Sequence, residues 1–184
     1  MLKISTSFLF ALGYILLLLS GCAANGSFQY TKDYSGAVMK DCMPNFICRT
    51  EIDEASIIRP EKGDMPLDVN PIYTGDKTVF TFEAEFIDDP DFGDDEVINR
   101  VQFQLDPGVK HFYYKDAKLE KINAYFTHVA YSSEQGYYPI RKGIIEGHQQ
   151  TDGSWSVFIH FDIVTAGRIP TKMDGAYEVT FSAS

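Results

Sequence analysis

Thr78-Val79-Phe80-Thr81-Phe82-Glu83-Ala84-Glu85-Phe86-Ile87 decides the fold. Phe80, Phe82, Ala84 and Phe86 fall on one side of an extended chain, and Thr81, Glu83 and Glu85 on the other. A period of two is the mark of a strand with one face buried and one wet. The period recurs along the chain. In residues 97–105, Val97, Val101, Phe103 and Leu105 alternate with Arg100, Gln102 and Gln104. Residues 119–131 place Ile122, Ala124, Phe126 and Ala130 opposite Lys121, Asn123, Tyr125 and Thr127, and 138–149 read as a further strand. Residues 154–164 put Trp155, Val157, Ile159, Phe161 and Ile163 together, and 176–183 do so with Tyr177, Val179 and Phe181. β-branched and aromatic residues fill these runs, as pleated surfaces prefer. Several strands parted by turns predict an all-β domain built as a two-sheet β-sandwich. Short helical turns are expected only at residues 35–40 and 50–55, the second with Thr50 as a weak cap. Pro60, Gly63, Pro66, Pro71 and Gly75 mark residues 61–76 as loop.

Gln150-Thr151-Asp152-Gly153 joins two of these runs. Asp-Gly supplies the positive φ of a hairpin turn. If Gln149 pairs with Ser154, Arg141 lies opposite Asp162 as a cross-strand ion pair. Asp152-Gly153-Ser154-Trp155 and Asp174-Gly175-Ala176-Tyr177 resemble the Asp-Gly-x-aromatic strand entries of bacterial immunoglobulin-like domains. The likeness covers the last third of the chain and implies an immunoglobulin-like sandwich.

The amino-terminal end has a different character. Lys3 precedes an unbroken apolar run over residues 8–19, followed by Leu19-Ser20-Gly21-Cys22. A charged start, a short apolar core and small residues before the cut describe a secretory signal peptide. Twelve apolar residues are too few for a span, which needs about 20. The Leu-Ser-Gly-Cys ending resembles the lipobox of bacterial lipoproteins. The resemblance implies that residues 1–21 are cleaved, that Cys22 carries lipid, and that this lipid is the protein's contact with a membrane. Ala23 after the cysteine resembles the outer-membrane class if the source is Gram-negative. Residues 22–36, small and polar with a few aromatics, read as a tether of roughly 20 Å. Residues 37–184 then form one domain.

Removing 21 of 184 residues leaves 15 basic and 26 acidic side chains, a net charge of about −11. Such a surface excludes nucleic acid, whose phosphates require Lys and Arg, and disfavours a face laid on anionic lipid. Beyond Cys22 the chain has two cysteines, Cys42 and Cys48. In an oxidising compartment two thiols pair, and Pro44-Asn45 between them supplies a turn. Neither a zinc set nor a Cys-x-x-Cys redox motif is present.

The strongest polar feature is the stretch of Asp88, Asp89, Asp91, Asp94, Asp95 and Glu96, six acids within nine residues between two predicted strands. Calcium takes six to eight oxygen ligands, although the spacing is not that of an EF-hand. Solvated connector, partner surface and calcium site all remain open for it. His128 and His160 lie on strands, His111 at a strand edge and His148 beside the hairpin; Asp162 shares a face with His160. Glu83 and Glu85 sit about 7 Å apart on one face, within glycosidase spacing but equally ordinary for a wet sheet face. Tyr113, Tyr114, Tyr125, Tyr131, Tyr137 and Tyr138 crowd the middle third and suit either a binding patch or the closure of a sheet. No nucleophile elbow, metalloprotease motif or phosphate loop occurs. The sequence therefore points to a lipid-anchored, non-enzymatic module that binds another envelope protein, as an immunity protein or an accessory subunit. The alternative is a lipoprotein that binds or processes cell-wall sugar.

Overall fold

The computed structural model describes residues 29–59, 72–87, 97–130, 135–165 and 171–182. Residues 1–21, expected to be a signal peptide, Cys22 and the acids from Asp88 to Glu96 lie outside the described residues. Eleven strands are described: β1 (Met39–Lys40), β2 (Phe46–Ile58), β3 (Ile72–Thr74), β4 (Lys77–Phe86), β5 (Ile98–Leu105), β6 (His111–Lys115), β7 (Tyr125–Val129), β8 (Gly136–Pro139), β9 (Gly143–Gln149), β10 (Trp155–Val164) and β11 (Lys172–Phe181). They form a five-stranded sheet, β1-β11-β10-β9-β6, and a six-stranded sheet, β3-β2-β4-β5-β7-β8. All pairs are antiparallel except β1 with β11. This is the two-sheet sandwich that the alternation predicts. β2, β4 and β5 are consecutive neighbours in one sheet, and β9, β10 and β11 in the other. That order is not the four-plus-three order of an immunoglobulin domain.

The inward faces are the ones the period of two selects. Phe80, Phe82 and Ala84 of β4 meet Trp155, Val157, Ile159 and Phe161 of β10 and Tyr177, Val179 and Phe181 of β11 in one buried cluster. Phe80 stacks on Phe103 at 5.0 Å and meets Trp155 and Phe181 edge-on at 5.3 Å each. Aromatic pairs in these geometries add about 0.5–1.5 kcal/mol beyond the area they bury.

Four local expectations are corrected. Residues 50–55 are not a helical turn but part of β2, because Thr50 and Ile52 pair with Phe82 and Phe80 of β4 and Ile52 packs on the core. Residues 35–40 likewise end in β1, tied to β11. The run 119–131 begins instead as a 3₁₀ helix, Asp116–Ile122, closed by Asn123 in the left-handed conformation at φ +44°, a residue and position suited to ending a helix. The run 138–149 is two strands in different sheets, broken around residues 140–142 and at Gly143, whose φ is +143°.

The hairpin between β9 and β10 forms, with Gly153 at φ +91°, but its register is shifted by one residue. The Gly153 N–H donates to the Gln150 carbonyl at 3.1 Å and the Gln150 N–H to the Ser154 carbonyl at 2.7 Å. A three-residue loop of this kind ends on a left-handed glycine. Gln149 thus faces Trp155, not Ser154. Asp162 binds Lys142 at 2.7 Å, and Arg141 turns to Glu120 at 3.1 Å. The second Asp-Gly is no strand entry: Asp174 and Gly175 lie within β11, opposite Asp162 and Phe161.

From Gln29 onward the residues expected as tether are docked on the domain. Gln29–Lys32 forms a 3₁₀ turn that docks on the outer face of the five-stranded sheet. Tyr30 stacks on Phe158 at 3.7 Å between ring centroids, and Ile144 and Ala176 complete a second small apolar cluster. The residue is 9% exposed. What the polar composition disguised is that two aromatics, Tyr30 and Tyr34, have a matching outward-facing Phe158 to cover.

Candidate functional site

The strand registers gather several connections at one end of the sandwich. Phe86, Ile98, Val129 and Gly136 end or begin their strands side by side in the six-stranded sheet. Phe126 lies 4.7 Å from Phe161, while Phe80 meets Trp155 nearer the opposite end. This places the connection from Val164 to Lys172 at the same end as those after Phe86 and Val129. Loops grouped at one end of a rigid sandwich are the usual seat of recognition.

The base of the acidic connection is described even though its six carboxylates are not. The Phe86 N–H donates to the Val97 carbonyl at 2.8 Å, so residues 88–96 are carried on a β4–β5 hairpin. Ile87 donates its N–H to the Asn45 carbonyl at 2.9 Å, and the Phe46 and Phe86 rings meet edge-on at 5.3 Å. Asn45 is held by a turn: the Phe46 N–H reaches the Met43 carbonyl at 3.2 Å, with Asn45 at φ +64°. Pro at the second position and a left-handed Asn at the third suit a type II turn. Cys42 and Cys48 are disulfide-bonded across it, as the sequence predicts, with Cα atoms 5.6 Å apart. Staple, turn and hairpin base are therefore tied into one cross-linked unit.

Beside this unit the surface is apolar. Ile47 is 48% exposed and Ile87 52%. Val164, at the same end, is also exposed. Scattered exposed apolar residues are ordinary, but Ile47 and Ile87 flank a single carbonyl–amide contact next to an acidic loop. Below them, on the outer face, Arg49, Glu83 and Arg100 lie in one row across β2, β4 and β5. Arg49 reaches Glu85 at 2.6 Å and Glu83 at 3.2 Å, and Arg100 reaches Glu83 at 2.6 Å. Glu83 and Glu85 are thus ion-paired with guanidinium groups on the outer sheet face. Beside Glu85, the Arg49 guanidinium is held further above its ordinary range by the two carboxylates.

The tyrosines do not make one patch. Tyr114 and Tyr138 pack against the core. Tyr113 hydrogen-bonds Asp33 of the docked N-terminal segment. Tyr125 stacks on Tyr137 at 4.6 Å on the outer face of the six-stranded sheet, and burial raises both phenols. Tyr131 lies outside the described residues. The hydroxyls of Thr127 and Tyr137 are buried without a hydrogen-bond partner.

The histidines are dispersed. His111 and His148 face each other across β6 and β9. Nδ1 of His128 lies 2.8 Å from Oδ1 of Asn99. The His160 ring lies 4.5 Å from the Tyr34 ring; burial lowers its pKa, and Asp162 opposes that shift. Among the described residues, no three His, Cys, Asp or Glu side chains converge on a point that could hold a metal. At the far end of the sandwich a cleft of about 220 Å³ opens between the sheets, floored by Phe80, Leu105 and Trp155 and rimmed by Glu54 and Lys110. Trp155 is only 6% exposed, clasped by Phe80 and Phe112, so it offers no open face to a sugar ring.

No protein-family model, curated protein or solved structure matches this chain.

Proposed function

We propose that this protein is a lipid-anchored bacterial envelope protein that acts by binding another protein, without catalysis, through the hairpin end of its sandwich. The Leu-Ser-Gly-Cys ending supports the anchor. The observation that carries the binding reading is the pair Ile47 and Ile87, half exposed on a base fixed by the Cys42–Cys48 disulfide and the Asn45–Ile87 hydrogen bond. Such a base offers apolar area whose shape is set before the partner arrives, which lowers the ordering cost of association. The acids beyond it, Asp88, Asp89, Asp91, Asp94, Asp95 and Glu96, suit a basic partner and would speed encounter. An immunity protein or an accessory subunit of an envelope assembly fits this description; the buried Trp155 gives the sugar alternative no comparable support.

A photo-crosslinking amino acid placed at Ile87 tests the reading in intact cells. The expected result is a discrete adduct with one envelope protein, absent when the same group replaces Asp152 at the opposite end. No adduct from position 87, or the same adducts from both positions, would overturn it.

A further inference from the structure

The docked N-terminal segment does more than fill a surface. The backbone N–H groups of Gln29 and Tyr30 donate to the two oxygens of one carboxylate, Glu146 Oε1 at 2.6 Å and Oε2 at 2.7 Å. Glu146 is 2% exposed, on β9, one strand in from the β6 edge of the five-stranded sheet's outer face. A buried carboxylate demands such partners, because an unpaired one would be costly. The Tyr30 ring covers Phe158, and its hydroxyl binds Glu178. Asp33 is held by Tyr113 and, at 3.4 Å, by Lys115. Three strands, β9, β10 and β11, and the edge strand β6 thus grip residues 29–34. The main core between the sheets closes without residues 29–34, so the grip is a separate contact on the outer face.

We infer that residues 29–34 are a latch that fixes the orientation of the domain on the membrane, turning the outer face of the five-stranded sheet toward the lipid. The inference rests on the reading of Cys22 as the lipidated residue. Only six residues, 23–28, separate Cys22 from Gln29. Seven steps of chain span at most about 25 Å, whatever their conformation. The opposite outer face lies beyond two sheets packed about 10 Å apart, with a layer of side chains on either side. To bring that face to the bilayer the spacer would have to round the β6 edge and cross this thickness, which consumes its whole reach. The hairpin end with Ile47 and Ile87 is then held to the side of the anchor and open to a partner. A free tether over residues 22–36 would impose none of this.

The test uses the full lipidated protein in native-like vesicles with a lipid-linked quencher. A fluorophore is attached at Thr180→Cys, on the outer face of the five-stranded sheet, or at Glu51→Cys, on that of the six-stranded sheet; Thr50 Oγ1 reaches the Thr180 carbonyl at 3.1 Å, so the two positions stand at one height. With the latch intact, the Thr180 label should be quenched about twofold or more relative to the Glu51 label, given the thickness between the faces. Gln29→Pro with Tyr30→Ala removes one donor to Glu146 and the stacked ring, leaves both sheets untouched, and should bring the ratio close to one. Equal quenching in the parent, or an unchanged ratio in the unlatched variant, would overturn the inference while the anchor stands. A chain that stays soluble would overturn the anchor and the inference with it. Amide exchange on the soluble Cys22→Ser protein gives a separate check: slow exchange at Gln29 and Tyr30 is expected, and fast exchange would refute the latch whatever the fate of Cys22.

Discussion

Replacing both Cys42 and Cys48 by serine should lower the melting temperature by about 8 °C, and the number follows from the loop the bond closes. The two residues are six apart in sequence. In the chain-entropy treatment, a loop of about seven residues removes roughly 8 cal/mol/K from the unfolded chain, or about 2.4 kcal/mol at 25 °C. An unfolding entropy of about 2.1 cal/mol/K per residue, over a domain of roughly 150 residues, converts this to the stated shift. The folded state should change little, because the type II turn at Pro44-Asn45 and the Ile87–Asn45 hydrogen bond hold the same backbone. Paired calorimetry and urea titration on oxidised parent and double variant give the shift. Amide exchange at Ile87 reports on the native geometry. A drop below about 2 °C would show that the turn confines the unfolded chain by itself. A drop beyond about 15 °C, with Ile87 losing its protection, would show that the bond supports the folded hairpin base rather than restricting the unfolded chain.

Three further outcomes are expected. Gly143→Ala should destabilise the domain by about 2–3 kcal/mol or prevent folding, because an added Cβ would lie 2.0 Å from the His160 carbonyl at a φ of +143°; unfolding by urea measures it. His160 should make stability fall as pH drops from 7 through its unfolded value near 6.5, because burial lowers its folded pKa despite nearby Asp162, Asp174 and Asp116, with Lys142 acting the other way. The unfolded chain binds the extra proton, so stability rises with pH across that window, and His160→Gln should flatten the slope. Asp91, Asp94 and Asp95 all changed to Asn should slow association with a basic partner and weaken its salt dependence in stopped-flow measurements; unchanged kinetics would reduce that stretch to a solvated connector.

The sheet faces were legible because alternation is a local property: Phe80, Phe82 and Ala84 announce their burial without reference to any other strand. Register was not. One residue of loop length at Gln150–Ser154 decides whether Arg141 or Lys142 meets Asp162, and that depends on where Gly153 takes its positive φ. Thr50 and Ile52 resemble a local turn because their sheet partners, Phe82 and Phe80, lie some thirty residues away. The disulfide could be predicted by elimination and compartment, and its turn from Pro44-Asn45. The docking of Tyr30 could not, since it depends on an outward-facing Phe158 and a carboxylate from β9 that only the finished sheet brings together. One signal was present: Phe158 stands at a polar position in an otherwise alternating run, and such a residue needs a cover.

The margins of the two sheets carry a consequence of their own. The four outermost strands are β1, β6, β3 and β8, of two, five, three and four residues, and β8 ends on Pro139, which has no amide hydrogen to share. Among the described residues these short strands cover little of their neighbours: β3 pairs with Ser56, Ile57 and Ile58 of β2 alone, and β1 with Tyr177 and Glu178 of β11 alone, so both long strands keep edges that no other strand pairs. The two edges approach each other where the Thr50 hydroxyl donates to the Thr180 carbonyl at 3.1 Å, a bridge that ties one sheet margin to the other. Under the proposed binding function, a partner thus has two routes, side chains at the hairpin end and strand addition along the open part of these edges.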